Sequence, residues 1–322
     1  METRALGSTG LRVSTLTLGT MSWGRDTDIH EARDQFNIYC DAGGFVVDTA
    51  DVYSDGVSEE IIGEFLKEHP EILVSSKAGS VRGSQPANTS RSHILNSLET
   101  SLRRLRRNHI DIWHIHRWDA TTPIDELLAA LDYAVTSGKV RYVGVSNFAA
   151  WQLTQAATIQ LHSKSQAKIA SAQMEYSLLE RGIEREVLPA AKALGVGIMA
   201  WSPLGRGVLT GKYRHNTPAD SRAASKHFAG FVSPYLSDRP RTIVDAVCVA
   251  AEALGQAPLD VALNWVLSKQ QIATAVIGAR TASQLRAILT GLDSELPAEI
   301  AQALDEVSAG YRGYPEFGWN QP

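Results

Sequence analysis

Short apolar runs alternate along the whole chain with longer stretches in which apolar positions recur at helical spacing. The strand-like runs lie at 16–19, 44–48, 71–76, 110–116, 140–145, 169–174, 196–201 and 272–277, and most are apolar enough for burial on both faces. Helix-like segments fill the gaps between them. This order is the one expected of parallel β/α units rather than of separate helical and sheet blocks. There are eight units, and a barrel of this length, 1–322, is routinely a single domain. Thr89 suits the N-cap of the third helix, which carries Leu95, Leu98, Leu102 and Leu105 at helical spacing. Its basic end, Arg103, Arg104, Arg106 and Arg107, is expected to be a solvated helix terminus. Ahead of the first strand, residues 6–13 predict a short hairpin that turns at Gly10 and plugs the barrel bottom.

The interval after the seventh strand, about 202–240, lacks periodicity and is rich in Gly, Pro, Ser and Arg. Loops this long inside a domain are usually functional or disordered. Glycine amides there, with Arg206, Lys212 and Arg222, suit a pyrophosphate, and the alternative is an incidentally basic loop. The stretch Gly195 to Ala200 matches the G-x-G-x-x-A dinucleotide fingerprint, but it precedes and forms a strand, whereas that fingerprint follows one. Gly195 instead suits a helix C-terminus.

Charge and composition narrow the partners. The net charge is -4 with both signs spread evenly, which argues against a nucleic-acid footprint or a polybasic membrane patch and favours a small-molecule partner. Cys40 and Cys248 sit inside predicted helices, and two cysteines make neither a disulfide scaffold nor a metal site. The histidines show no metal-ligand spacing, so no metal is expected. No run approaches the roughly 18 apolar residues of a spanning helix, and no apolar signal segment opens the chain, so a cytoplasmic location is expected. Oligomeric state is left open.

The candidate chemistry stands at the ends of three successive strands. Asp48-Thr-Ala-Asp-Val-Tyr53 places a carboxylate and a phenol there, the next strand ends in Lys77, and the fourth closes with His116. An α/β barrel holds its chemistry at such carboxyl ends. A phenol has a pKa of about 10, and an adjacent ammonium is expected to lower it and make Tyr53 a proton donor, with Asp48 keeping Lys77 charged. His114 shares a face with His116 one layer deeper and is expected to be a hydrogen-bonded core residue. Trp23, Trp118 and the tail from Tyr311 to Trp319 are candidate walls of a substrate pocket, or plain packing.

These motifs, with Ser75-Ser-Lys77, Gly138 to Asn147, Gln173-Met-Glu-Tyr176, Trp201-Ser-Pro-Leu204 and Val276-Ile-Gly278 in the same order, resemble the aldo-keto reductase superfamily over nearly the whole chain. The resemblance implies a (β/α)8 TIM barrel and hydride transfer between NADPH and an aldehyde or ketone. It implies Tyr53 as general acid tuned by Lys77 and Asp48, and His116 orienting the carbonyl. By the same likeness Ser146, Asn147 and Gln173 would bind the nicotinamide carboxamide and Trp201 would stack on its ring. Ser202, Leu204, Arg206, Lys212 and Arg222 map onto the pyrophosphate loop. Gly278, Arg280 and Gln284 map onto the adenosine end, where Arg280 would meet a 2'-phosphate and favour NADPH. The chain departs from the pattern at Ala287 and Ile288, where relatives commonly carry an acid and an amide near adenine, and Arg286 is a candidate to compensate.

Three other activities are compatible with parts of this pattern. A coenzyme sensor resembling potassium-channel β subunits shares the Trp201 motif and Asp220-Ser-Arg222, but those relatives replace the fourth-strand histidine with Asn. A Schiff-base lyase would use Lys77, which Asp48 would instead hold protonated. A glycosidase would need paired acids at adjacent strand ends, and the chain offers no convincing pair beyond Asp48 and Asp51.

Overall fold

The structure, a computed structural model, describes residues 1–81, 85–163, 165–219, 221–225, 228–311 and 313. An antiparallel hairpin, β1 (Thr3–Ala5) with β2 (Arg12–Ser14), precedes eight parallel strands. These are β3 (Leu16–Gly19), β4 (Val46–Asp48), β5 (Leu73–Ala78), β6 (Ile110–Ile115), β7 (Val140–Ser146), β8 (Ile169–Glu175), β9 (Gly197–Trp201) and β10 (Ile272–Ile277). They close in sequence order, with β10 pairing β3. Helices between the strands cover the outside, so most barrel-strand residues are buried on both faces and the strands are largely apolar rather than alternating.

Each of the eight expected runs overlaps one barrel strand. The largest shift is at β5, which starts and ends two residues later than expected and therefore contains Lys77. The hairpin closes one end, where Leu6 and Val13 share a buried cluster with Val46, Ile112, Met199 and Ala273. Its left-handed residue is Gly7, φ 60°, rather than Gly10. A Cβ there would stand 2.3 Å from the Gly195 carbonyl oxygen, so the turn is set by close docking onto the chain entering β9. Gly195 itself ends the helix Val187–Leu194 in the left-handed conformation, as expected. Tyr39, from the first helix, Ile29–Asp41, donates from its hydroxyl toward the Leu16 and Val46 carbonyls and ties β3 to β4.

The third helix, Arg91–Leu105, starts one residue later than expected. Ser90 is the N-cap, because the Thr89 amide and hydroxyl are both committed to Asp119. After β9 the chain forms 3-10 turns at Gly205–Thr210, Arg222–Ala224 and Ser233–Leu236 and one short helix, Ala229–Val232, before the helix Asp238–Leu254 begins. This is the long interval without periodicity. Among the described residues no single helix is long and apolar enough to cross a membrane.

Candidate active site

Strand register brings the predicted polar groups together. Asp48 ends β4 beside Ser75 on β5, and Lys77 on β5 stands beside His114 on β6. Inside the barrel Lys77 Nζ donates to Asp48 Oδ2 at 2.5 Å, to the Thr49 carbonyl at 2.8 Å and to the Tyr53 hydroxyl at 3.3 Å. Asp48 Oδ1 accepts from Ser75 Oγ and from Gln173 Nε2, each at 2.7 Å. Both members of the ion pair are almost wholly buried. A desolvated pair is tolerated when the remaining lone pairs and protons are met, as they are here.

Burial is the largest influence on Lys77 and opposes its charge, but Asp48 and Tyr53 outweigh it and hold the ammonium above its ordinary pKa. The Tyr53 phenol departs from the sequence expectation. Burial pushes its pKa above the ordinary value, and the nearby Lys77 ammonium pulls it down without cancelling that rise. The phenol therefore stays protonated through neutrality, which is the form a proton donor needs. His116 meets the Tyr53 ring edge-to-face at 5.9 Å, and burial holds its imidazole down at about 3, so it is neutral. Its Nδ1 is buried and has no hydrogen-bond partner among the described residues. His114 is fully buried and shares a hydrogen bond with Ser171 Oγ at 2.9 Å, as a core residue does.

A cavity of about 510 Å³ opens above this cluster. It is lined by Asp48, Tyr53, His116, Ser146, Asn147, Gln173 and Trp201, and also by Ser202, Leu204, Arg206, Lys212, Gly278, Arg280 and Gln284. Several of these side chains are held in place. Ser146 Oγ donates to the Gln173 main-chain carbonyl, Asn147 Nδ2 donates to the His116 main-chain carbonyl, and Trp201 Nε1 donates to Asn147 Oδ1. Because Asp48 only accepts, Gln173 must turn its amide nitrogen to it, which leaves the amide oxygen as acceptor for a ligand N–H. Asn147, Ser202 and Arg206 have positive φ, and such strain gathers where surrounding structure dictates the backbone.

Residues 15–309 match the aldo/keto reductase family. The chain belongs to that family. It is 35% identical to an uncharacterized oxidoreductase, YrpG, of Bacillus subtilis, across 99% of this chain and all of that one. It is also 32% identical to probable voltage-gated potassium channel β subunits of Oryza sativa and of Arabidopsis thaliana, across 98% of this chain and of each relative. Family membership makes the chain an oxidoreductase acting on carbonyl or alcohol groups.

Other predicted residues of this aldo/keto reductase chain are placed differently. Trp23 is fully buried, donates to Gln35 and packs on Phe65, and it does not line the cavity. Trp118 packs edge-to-face on Phe148 and on the exposed Trp151, also outside the lining. Arg206 reaches the cavity with its guanidinium in a two-point pair with Glu175, at 2.8 and 2.6 Å. Tyr235 donates to the same carboxylate. Ala287 and Ile288 add apolar lining to the cavity, and Arg286 is exposed and outside the lining. Asp220, the Arg222 side chain and the tail at 312 and 314–322 lie outside the described residues. Phe231, whose ring stacks on Trp201 at 6.3 Å and 15°, had no sequence signal, since it sits in the aperiodic interval.

Behind Tyr53, the carboxyl of half-buried Asp51 has its Oδ1 shut away from solvent without a partner among the described residues. Burial, then the Glu59 carboxylate, pushes its pKa up to about 7 against the pull of Arg104 and a hydrogen bond from Ser97. The unfolded value is about 4. Folding therefore loses stability as pH rises from about 4 to about 7 and loses no more above that. Asp51→Asn should remove this loss and gain on the parent by on the order of 4 kcal/mol between acid and neutral pH. Urea denaturation at either end of that range checks it, and a constant difference would contradict it.

Proposed function

We propose that the chain reduces an aldehyde or ketone to the alcohol with hydride from NADPH, with Tyr53 as proton donor. The observation that carries this reading is the meeting of Tyr53, the Lys77–Asp48 pair and His116 beneath a cavity that Arg206, Lys212 and Arg280 also line. That donor set fits a nicotinamide dinucleotide. Gln173 and Asn147 suit a carboxamide, Trp201 a flat ring, Lys212 the phosphates and Arg280 a 2'-phosphate. NADPH, when bound, supplies the hydride that reduces the carbonyl carbon. As negative charge grows on the carbonyl oxygen, Tyr53 gives it the phenolic proton, and the nascent phenolate is stabilised by Lys77. Asp48 keeps Lys77 charged, and His116 orients the oxygen as a neutral hydrogen-bonding group.

Titration with NADPH and NADH by Trp fluorescence, followed by absorbance decay against aldehydes, ketones and quinones, tests the reading. Tight NADPH binding with multiple turnovers is the expected result. Binding with negligible turnover across the panel would favour a coenzyme sensor, a reading the likeness to channel β subunits supports. Arg280→Met should cost roughly ten- to a hundredfold in NADPH affinity, the worth of a charge-assisted hydrogen bond, and leave NADH affinity unchanged. Equal losses for the two coenzymes would remove the 2'-phosphate role from Arg280.

A further inference from the structure

The turn that carries Tyr53 is held from behind by an ion pair lying outside the cavity, between the buried Glu59 and the partly exposed Arg104. After Tyr53, Ser54, Asp55 and Gly56 take left-handed conformations in succession, with φ of 47°, 61° and 95°. Residues with side chains leave that region unless their surroundings impose it. Here Arg104, from the helix Arg91–Leu105, does so. Its Nη1 donates to the Asp51 carbonyl at 3.1 Å and its Nη2 approaches the Asp55 carbonyl at 3.5 Å, so one guanidinium spans the turn. A Cβ on Gly56 would stand 2.1 Å from Arg104 Cζ, so the guanidinium fills the space a side chain would need.

The same guanidinium is anchored. Glu59, wholly buried, accepts from Arg104 Nη1 at 3.2 Å and from Ser76 Oγ at 2.7 Å. Ser76 directly precedes Lys77 on β5. The Asp51 amide donates to the Lys77 carbonyl at 3.0 Å. The turn bearing the phenol and the strand bearing the ammonium are thus joined twice, once through backbone and once through Arg104, Glu59 and Ser76. Lys at position 104 would lack the planar fork that meets two carbonyls and a carboxylate together.

We propose that Arg104, anchored by Glu59, is a positioning residue that sets the Tyr53 phenol against Lys77 for proton transfer. This rests on Tyr53 being the acid. Arg104 acts through the turn and is not part of the cavity lining. The test compares wild type, Tyr53→Phe, Arg104→Ala, Arg104→Lys and Glu59→Gln for NADPH affinity, kcat and thermal stability. Arg104→Ala is expected to keep NADPH affinity and lose roughly 100-fold in kcat, the scale of a small misplacement of a reacting group. Added guanidinium ion should restore much of that loss, because the Arg104 side chain is 22% exposed and its site is reachable. Arg104→Lys should recover little.

A wild-type kcat in Arg104→Ala, a matching loss of NADPH affinity, or no recovery with guanidinium overturns the proposal. Should Arg104→Ala fail to fold, Glu59→Gln leaves the guanidinium in place without its charged anchor. A reduced kcat at unchanged NADPH affinity then supports the proposal, and an unchanged kcat overturns it. Failure of the acid assignment is separate, since it shows as normal turnover in Tyr53→Phe whatever the Arg104 variants do.

Discussion

Tyr53→Phe is expected to lower kcat by about 10²–10⁴-fold, the usual contribution of a positioned general acid, while NADPH binding is retained. The substitution keeps the ring and its edge-to-face contact with His116 and removes only the hydroxyl that Lys77 approaches at 3.3 Å. The pH profile carries the same argument. Burial places the Tyr53 pKa above its ordinary value, so the donating form is complete through neutrality and is lost only as pH rises into the alkaline range. His116, held at about 3, is neutral from mildly acid pH upward and adds no ionisation near neutrality. Reduction should therefore show no step near pH 6 or 7 from this imidazole. Such a step, abolished by His116→Gln, would mean that His116 rather than Tyr53 supplies the proton, and normal turnover in Tyr53→Phe would say the same.

What the residues announced and what they hid divide along physical lines. Strands buried on both faces are apolar runs with little polar interruption, so β3 to β10 stand out one by one. The bounds of β5 slipped because Lys77 is a charged residue inside the barrel, and nothing local separates it from the start of a loop. Gly10 lost the hairpin turn to Gly7 through a contact with Gly195, some 190 residues away in sequence. The Tyr53 pKa shows the same limit. The Tyr and Lys pair was legible, and its ammonium does lower the phenol, but the depth of burial that outweighs it belongs to the folded barrel. Arg104 looked like one cation of a solvated basic turn. Its partner Glu59 lies 45 residues earlier, and only packing of their two helices shows that they meet. Phe231 could not be found at all, since an aperiodic loop carries no record of which ring faces the cavity.

Lys77→Met should do more damage than loss of a proton-tuning charge alone would cause. It leaves Asp48 buried beside Ser75 and Gln173 with its carboxylate uncompensated, and breaking one member of a buried pair typically costs about 3–5 kcal/mol. Turnover should also fall steeply, because the phenolate left after proton donation loses its stabilising ammonium. The two effects separate in a double variant. Lys77→Met with Asp48→Asn removes the stranded charge while Asn still accepts a hydrogen bond, so most of the lost stability should return while kcat stays low. Urea denaturation and kcat measured on the two single variants and the double variant form the cycle. Recovery of stability without activity assigns the pair its catalytic part, whereas recovery of both together would make Lys77 a structural lysine and leave Tyr53 without its partner.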